Sequence, residues 1–566
     1  MNLLSYINIV AISILLTTAT AIDQLGLASN APTIAHFKNS GAVCQLVTSK
    51  PSRPGTISLS IGSVTSDKSK DEIYKVPVLI FKFSDLRNFT NLGPAEAYNE
   101  LYSQGKDGKI EVYNNLVNFK DSRFDLNLYK DYESIDEAEI YNGYVTTDKT
   151  DKDHYSIFFT PQRSGFYCVY VAPQVDLEIS DLDIPIVFKS STGYLNPIQY
   201  LVYSSEKISA VLGIFLFGYL LNYILKFKIG QDFKNMNSIS LISRGIIFYL
   251  LLPYIFLVIC SVFVYFLQNN WYTSASAVSV HLSSILFALS FLFEVVFRYF
   301  ILLFSMGYGV IYYHKGNSRN YRVIPARSLN RAKWLLIINS VAGLIFAILS
   351  DSWGDVNSSP LKQYSGSSVS NLPTNSSFIR YLTLVVSTIV GFAPLVWFSL
   401  SIYYYFQTKK VIAKFTPVEE QGGFSNDQIT SAFRKSILVI FVLPVFVFLL
   451  VGSLYVWRVV KMVKGHPIGD FPEERVPAEV LAYTILLTEQ LLLDKRSWLG
   501  LIWTGILYLY FQIVLVYFIW IKGNNGIIVD SEGQDPIAYA DVSQYEISED
   551  ENEEETPLSN GVTPSS

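Results

Sequence analysis

From Ile208 onward the chain carries seven separate apolar stretches, at approximately 208–227, 245–267, 278–312, 334–350, 382–406, 437–457 and 498–521. A helix needs about 20 apolar residues to cross about 30 Å of hydrocarbon, and each stretch is near or above that length. The fourth is the shortest. The third runs for about 35 residues, so its helix either continues past the membrane or hides a turn near Gly307 and Gly309. A further run, 478–493, is interrupted by Thr484, Thr488, Glu489 and Gln490. It reads as a helix on the membrane surface or packed on the bundle, with an eighth span as the alternative.

About 180 polar residues precede the first stretch, headed by an apolar run from Leu3 to Leu16 that is too short to span. Thr18-Ala19-Thr20-Ala21 follows, and its small residues suit signal-peptidase cleavage after Ala21, although no Lys or Arg precedes the apolar run. The expected organisation is a signal peptide at 1–21, a lumenal domain at 22–195, a seven-helix bundle at 208–521 and an acidic cytosolic tail at 523–566. That tail holds eleven Asp or Glu and no Lys or Arg, a composition that solvates rather than folds. The fold class is therefore an α+β membrane protein, a lumenal antiparallel β-sandwich followed by a transmembrane α-helical bundle.

The β assignment rests on periodicity. Ile57-Ser58-Leu59-Ser60-Ile61 alternates apolar and polar residues with period two, as a half-buried strand does. Residues 78–83, 155–159 and 166–171 are rich in aromatic and β-branched side chains that fit a pleated surface. The polar stretch 85–136 reads as a long insertion or a loop containing a helix. Of the three cysteines, Cys44 and Cys168 bracket this domain, and in an oxidising lumen they are expected to pair; the alternative is two free buried thiols. Cys260 lies within an apolar stretch as a small packing residue.

Loop charge gives an orientation. With the amino-terminal domain outside, the loops 228–244, 314–333 and 407–436 face the cytosol and hold 14 Lys or Arg, against 8 in 268–277, 351–381 and 458–497. The three glycosylation sequons, at Asn88, Asn357 and Asn375, all fall on the lumenal side in that arrangement.

Val78 to Phe83, Ser164 to Val169 and Phe188 to Leu195 resemble the corresponding segments of the lung seven-transmembrane receptor family. That family is also called GOST, for Golgi-dynamics-domain seven-transmembrane proteins, and the resemblance is to its fungal branch. The third apolar stretch is similar too: Arg298 is followed by an apolar run and ends in Ser305-Met306-Gly307-Tyr308-Gly309, like the family's Ser-x-Gly-Tyr-Gly. The chain departs where members commonly end the last span with Trp-Arg-Pro, having Trp520-Ile521-Lys522 instead. The resemblance implies a Golgi-dynamics-like β-sandwich above seven helices, residence in the Golgi with cycling through endosomes, and a part in membrane trafficking.

Glu294 and Arg298 form the clear pair of opposite charges within a span, four residues apart on one helix face. They either line a polar cavity able to meet a lipid head group or an ion, or lock the third helix to a neighbour. Gly307 and Gly309 either allow a bend and close helix approach or end the helix. In the tail, Tyr539 and Val542 fit a tyrosine signal for clathrin adaptors, and Ser548 precedes acids as acidophilic kinases prefer. No phosphate loop and no metal-spaced His or Cys cluster is present, and only five His occur, so an enzyme is not expected. Cofactors and nucleic acid are not expected either. The expected partners are membrane lipids, a lumenal cargo protein or glycan, and clathrin adaptors. The main alternatives are a cation channel or transporter using Glu294 and an orphan receptor of the G-protein-coupled layout, which lacks Asp-Arg-Tyr and Asn-Pro-x-x-Tyr here.

Overall fold

A computed structural model describes residues 33–37, 41–66, 73–82, 117–118, 121–124, 139–171, 179–195, 197–227, 240–270, 276–312, 324–353, 377–413, 426–465 and 495–522. The signal segment 1–21, the sequons at Asn88, Asn357 and Asn375, the run 478–493 and the tail with Tyr539, Val542 and Ser548 lie outside these residues.

Eleven strands are described: β1 (Thr33–Phe37), β2 (Gly41–Val47), β3 (Thr56–Ser60), β4 (Ser63–Ser66), β5 (Lys75–Lys82), β6 (Val117–Asn118), β7 (Arg123–Phe124), β8 (Tyr141–Thr146), β9 (Ser156–Phe159), β10 (Gly165–Val171) and β11 (Ile179–Lys189). One antiparallel sheet runs β1-β11-β3-β9, with β4 also on β11; a second runs β2-β10-β5-β8. Alternate residues turn inward, as a pleated strand requires. Ile57, Leu59, Ile184, Ile186 and Phe188 of the first sheet share one buried core with Val76, Val78, Ile80, Tyr167 and Val169 of the second. The two sheets therefore face each other as a sandwich. β5 is buried from Val76 to Phe81. Part of its outer cover is the β6–β7 ribbon, where Asn142 of β8 accepts from the Phe124 N–H and donates to the Phe124 carbonyl. Within the second sheet, Cys168 stands in register with Cys44. Cys168 is disulfide-bonded, and Cys260 is free.

Among the described residues seven long helices follow: α1 (Pro197–Phe227), α2 (Leu241–Asn270), α3 (Ser276–Ser305), α4 (Ala326–Trp353), α5 (Ser377–Ile412), α6 (426–465) and α7 (Lys495–Lys522). Among the described residues, six helices contain apolar segments of 21 to 31 residues, about 31 Å or more at about 1.5 Å per residue, enough to cross a bilayer. α7 contributes the shorter apolar segment Leu507–Lys522. This is the architecture of a multi-pass membrane protein. Large apolar side chains such as Phe215, Phe256, Phe446 and Trp457 point outward, the arrangement expected of helices solvated by lipid rather than water.

Among the described residues, two helices contain a widened turn. In α2 the stretch Ile246–Leu251 is a π-helix directly ahead of Leu252-Pro253, and in α6 Leu438–Val442 is one ahead of Leu443-Pro444. Proline has no N–H for the carbonyl four residues earlier and its ring crowds that carbonyl; a wider turn relieves the crowding. For Pro444 that carbonyl belongs to Ile440, and Gln512 of α7 donates to it at 3.4 Å and to the Val439 carbonyl at 3.2 Å. In hydrocarbon no water is at hand to do this.

α7 is the seam of the bundle. Tyr510 donates to the Ser209 carbonyl and Tyr517 to the Leu220 carbonyl, both of α1 and both at 3.0 Å. Trp520 donates to the Ser436 hydroxyl of α6 at 2.9 Å. Each ring fills the core while its polar tip finds an acceptor, the arrangement a buried Tyr or Trp requires. α3 and α4 approach closely at Gly343, where a Cβ would lie 1.6 Å from the Phe291 ring; only a side chain without a Cβ fits there.

Candidate functional site

Among the described residues of the junction and the bundle, three constellations stand out. The first joins the β-domain to the bundle. Asn269, near the end of α2, is buried; its Nδ2 donates to the Thr192 carbonyl at 3.0 Å, and its Oδ1 accepts from the Leu195 N–H at 3.3 Å. Its own carbonyl accepts from the Tyr194 N–H at 3.4 Å. Gly193 makes this possible. It sits at φ +128°, and a Cβ there would lie 2.2 Å from Asn269 Oδ1. One amide thus replaces a missing side chain and holds the connection that enters α1.

The second lies in the half of the bundle next to the β-domain. Glu206 of α1 is largely buried and accepts a hydrogen bond from Ser261 of α2. Tyr254 and Tyr265 of α2 lie within its electrostatic reach, and Tyr254 meets the Tyr510 ring edge-on at 5.2 Å. Gln268 donates to Ser283 at 2.6 Å nearby in sequence. An acid inside a span is costly and marks a site by default.

The third is a cavity of about 800 Å³ in the opposite half of the bundle. Its walls come from the widened turn of α2, the end of α3, the start of α4, Ile440 of α6 and Leu509 to Val516 of α7. Phe297, Phe300, Leu303 and Ile513 make it apolar, while Arg244 and Lys333 bring two cations; among the described residues no lining residue is acidic.

The sequence-derived candidates distribute unevenly over these. Glu294 and Arg298 do form an ion pair, but Glu294 is more than half exposed on the outside of the bundle and neither residue lines the cavity. Ser305 to Gly309 form a helix stop. Gly307 N–H bonds to the Phe304 carbonyl and Tyr308 N–H to the Leu303 carbonyl, both at 2.9 Å. This is the Schellman arrangement, with Gly307 at φ +92° as the left-handed residue it needs. Gly309 follows at φ +78°. The buried Ser305 carbonyl accepts from Thr408 of α5 at 2.8 Å, so the stop is docked on a neighbouring helix. Tyr308 and Gly309 then line the cavity.

In the β-domain, His154 is held by several partners. Its ring stacks on Tyr144 with centroids 4.2 Å apart, its Nδ1 lies 3.0 Å from Asp151, and Lys75 sits over the same tyrosine ring at 4.9 Å. The hydrogen bond to His154 holds the Asp151 carboxyl below the usual carboxylate range, and two bonds from Thr150 do the same for Asp148. Among the described residues no group of His, Cys, Asp and Glu is placed to hold a metal ion.

Sequence reasoning passed over Glu206, Asn269 and Gln512. Gln512 had a visible signal, an amide in the middle of an apolar run. No protein-family model and no curated protein matches the chain.

Proposed function

We propose that this is a seven-span trafficking protein of Golgi and endosomal membranes, related to the lung seven-transmembrane receptor family, whose lumenal β-sandwich binds a membrane-associated cargo protein or glycan. The observation that carries this reading is the Asn269 junction. A sandwich fixed to the bundle by buried hydrogen bonds, rather than hung on a linker, is built to hold a bound partner at a set distance from the bilayer. The loop charges and sequons support a lumenal amino terminus, and α7, at 28 residues, supports a seventh span. The register of Cys168 opposite Cys44, with Cys168 disulfide-bonded and Cys260 free, supports the Cys44–Cys168 bridge of an oxidising compartment. Proximity labelling from the β-domain, compared with labelling from the carboxyl-terminal tail, tests the function: secretory cargo should be enriched in the first set, and its absence there refutes sorting.

A second reading, cation transport, is favoured by one observation. Glu206 is a carboxyl inside the bundle, whereas the Glu294 side chain faces outward. Ion flux in liposomes of purified protein, abolished by Glu206→Gln and untouched by Glu294→Gln, would support transport over cargo binding.

A further inference from the structure

The β2–β3 connection crosses from one sheet to the other at the end of the β-domain that meets the bundle. Thr48 places it there. Its N–H donates to the Ser190 hydroxyl at 3.2 Å and its carbonyl accepts from the Ser191 N–H at 2.7 Å, one residue from the Thr192 carbonyl that Asn269 of α2 holds. Two residues on, Lys50 and Arg53 exchange both backbone hydrogen bonds, at 3.3 and 3.0 Å, around Pro51-Ser52. This is a tight turn with proline in a favoured position. Its flanks are fixed, since the Ser49 hydroxyl donates to the Pro161 carbonyl at 2.5 Å and accepts from the Gly55 N–H at 3.2 Å. Residues paired in this way send their side chains to one face, with Cβ atoms about 5 Å apart. Both are exposed, and among the described residues no side-chain hydrogen bond or ion pair engages either.

Like charges set opposite each other repel. Nothing acidic in the junction-end loops relieves them: 48–55, 160–164 and 190–195 contain no Asp or Glu. The loop 148–153 at the far end instead interleaves Asp148, Asp151 and Asp153 with Lys149 and Lys152. Two cations on a rigid turn select an anion that accepts from both, and a point charge beside a guanidinium fork suits a phosphate. The level of the turn names the source. Phe266, one turn before the end of α2, is 40% exposed, so Asn269 stands where hydrocarbon gives way to head groups. Lys50 lies within about 7 Å of chain from Thr48, and the polar layer of a leaflet is about 5–8 Å deep. At this boundary Lys189 and Lys207 sit over the Tyr194 and Tyr203 rings at 5.1 and 4.1 Å, and such amphipathic rings mark a membrane–water interface.

We propose that Lys50 and Arg53 form a phosphate clamp that seats the β-domain on the adjacent leaflet, taking one phospholipid phosphate between them. The inference stands apart from the cargo reading, because it needs only a multi-pass bundle beneath the β-domain. Arg163 is not counted, its charge being answered by Glu139 at 3.5 Å. The Asn269 junction holds the domain at one point, and a second contact beside it fixes the tilt.

The test is fluorescence quenching of the full chain in lipid nanodiscs, with Cys260→Ala throughout and a fluorophore on Ser52→Cys in the turn. Lipid carrying a nitroxide on its head group should quench this label strongly, and a label on Thr150→Cys in the far-end loop hardly at all. In discs containing phosphatidylglycerol, Lys50→Gln with Arg53→Gln should lower the ratio of seated to lifted turn by about 30-fold, the product of about 5-fold per basic residue at a membrane surface. Lys50→Arg with Arg53→Lys should keep the quenching, which separates loss of charge from loss of fold. Inorganic phosphate should relieve it no more than chloride at equal ionic strength. Quenching that survives the double glutamine substitution overturns the proposal, and so does equal quenching of the two labels. Relief by inorganic phosphate as complete as that of the double substitution assigns the pair to a free anion and overturns the lipid contact.

Discussion

Replacing Asn269 by Ala removes two side-chain hydrogen bonds at the point where the β-domain meets the bundle, and the structure sets the size of the effect. The Leu195 N–H loses its acceptor in a buried position and the half-buried Thr192 carbonyl loses its donor. A buried group left unpaired costs about 1–3 kcal/mol and a partly exposed one about 1 kcal/mol, giving about 2–4 kcal/mol in all. The bond from Tyr194 N–H to the Asn269 carbonyl involves backbone alone and survives. Because the loss is local, it should appear as local opening rather than global unfolding. Amide exchange across 190–203 of the full chain in detergent should therefore accelerate by about 30-fold to about 1,000-fold, at about 1.4 kcal/mol per tenfold. Core amides of β5 and β10 should keep their rates. Asn270→Ala is the control, because the Asn270 side chain is exposed and bonds only the Phe266 carbonyl within its own helix. Gly193→Ala should reproduce the effect from the other partner. Its φ of +128° and the 2.2 Å approach to Asn269 Oδ1 add strain of about 1–3 kcal/mol to the displaced amide. If Asn269→Ala leaves the junction amides at their original rates, or accelerates β5 and β10 equally, the reasoning about a local latch is wrong.

Three further outcomes follow from other parts of the fold. Gln512→Leu keeps the volume but strips the donor from the Ile440 and Val439 carbonyls. It should lower resistance to detergent unfolding by about 0.6–1.7 kcal/mol, and an unchanged midpoint would mean those carbonyls need no partner. Cys168→Ser opens the cross-link and should cost the β-domain about 2–5 kcal/mol. Reductant should destabilise the original chain and leave the variant unaffected; equal response of both excludes the bridge. Asp148 and Asp151 have depressed folded-state carboxyl values, so their contribution is present above the ordinary carboxylate range and is lost as pH falls through the folded values. Asp148→Asn with Asp151→Asn should flatten the acid limb of the thermal midpoint, read from about pH 5 to about pH 2.5, and an acid limb of undiminished slope would assign it elsewhere.

What the sequence disclosed, and what it withheld, divides by range of interaction. Period-two alternation marked β3, and aromatic or β-branched runs marked β5, β9 and β10, because a strand's two faces are written into adjacent residues. Apolar length marked the helices, yet their polar ends were cut short. The first stretch was read from Ile208, whereas α1 begins at Pro197, with proline in the first helical position where its missing N–H costs nothing. That cut placed Glu206 outside the span. The long third stretch did contain a turn, and Gly307 and Gly309 were its local signal. Asn269 and Gly193 are 76 residues apart, so nothing local could pair them. Arg244 and Lys333 were visible as charges but were counted toward orientation. Only packing brings them to one cavity.

The two widened turns bring these observations together. Each stands just before a Leu-Pro pair, and each contributes to the cavity wall, through Ile246, Phe248, Tyr249 and Leu250 in α2 and Ile440 in α6. A regular turn at those places would set one residue fewer along the wall and would press the proline ring on the carbonyl four residues before it. In α6 the freed carbonyl is taken by Gln512, which also lines the cavity. Pro444 thus exchanges an internal hydrogen bond for one to a neighbouring helix, and the site is shaped by the same residues that tie α7 to α6.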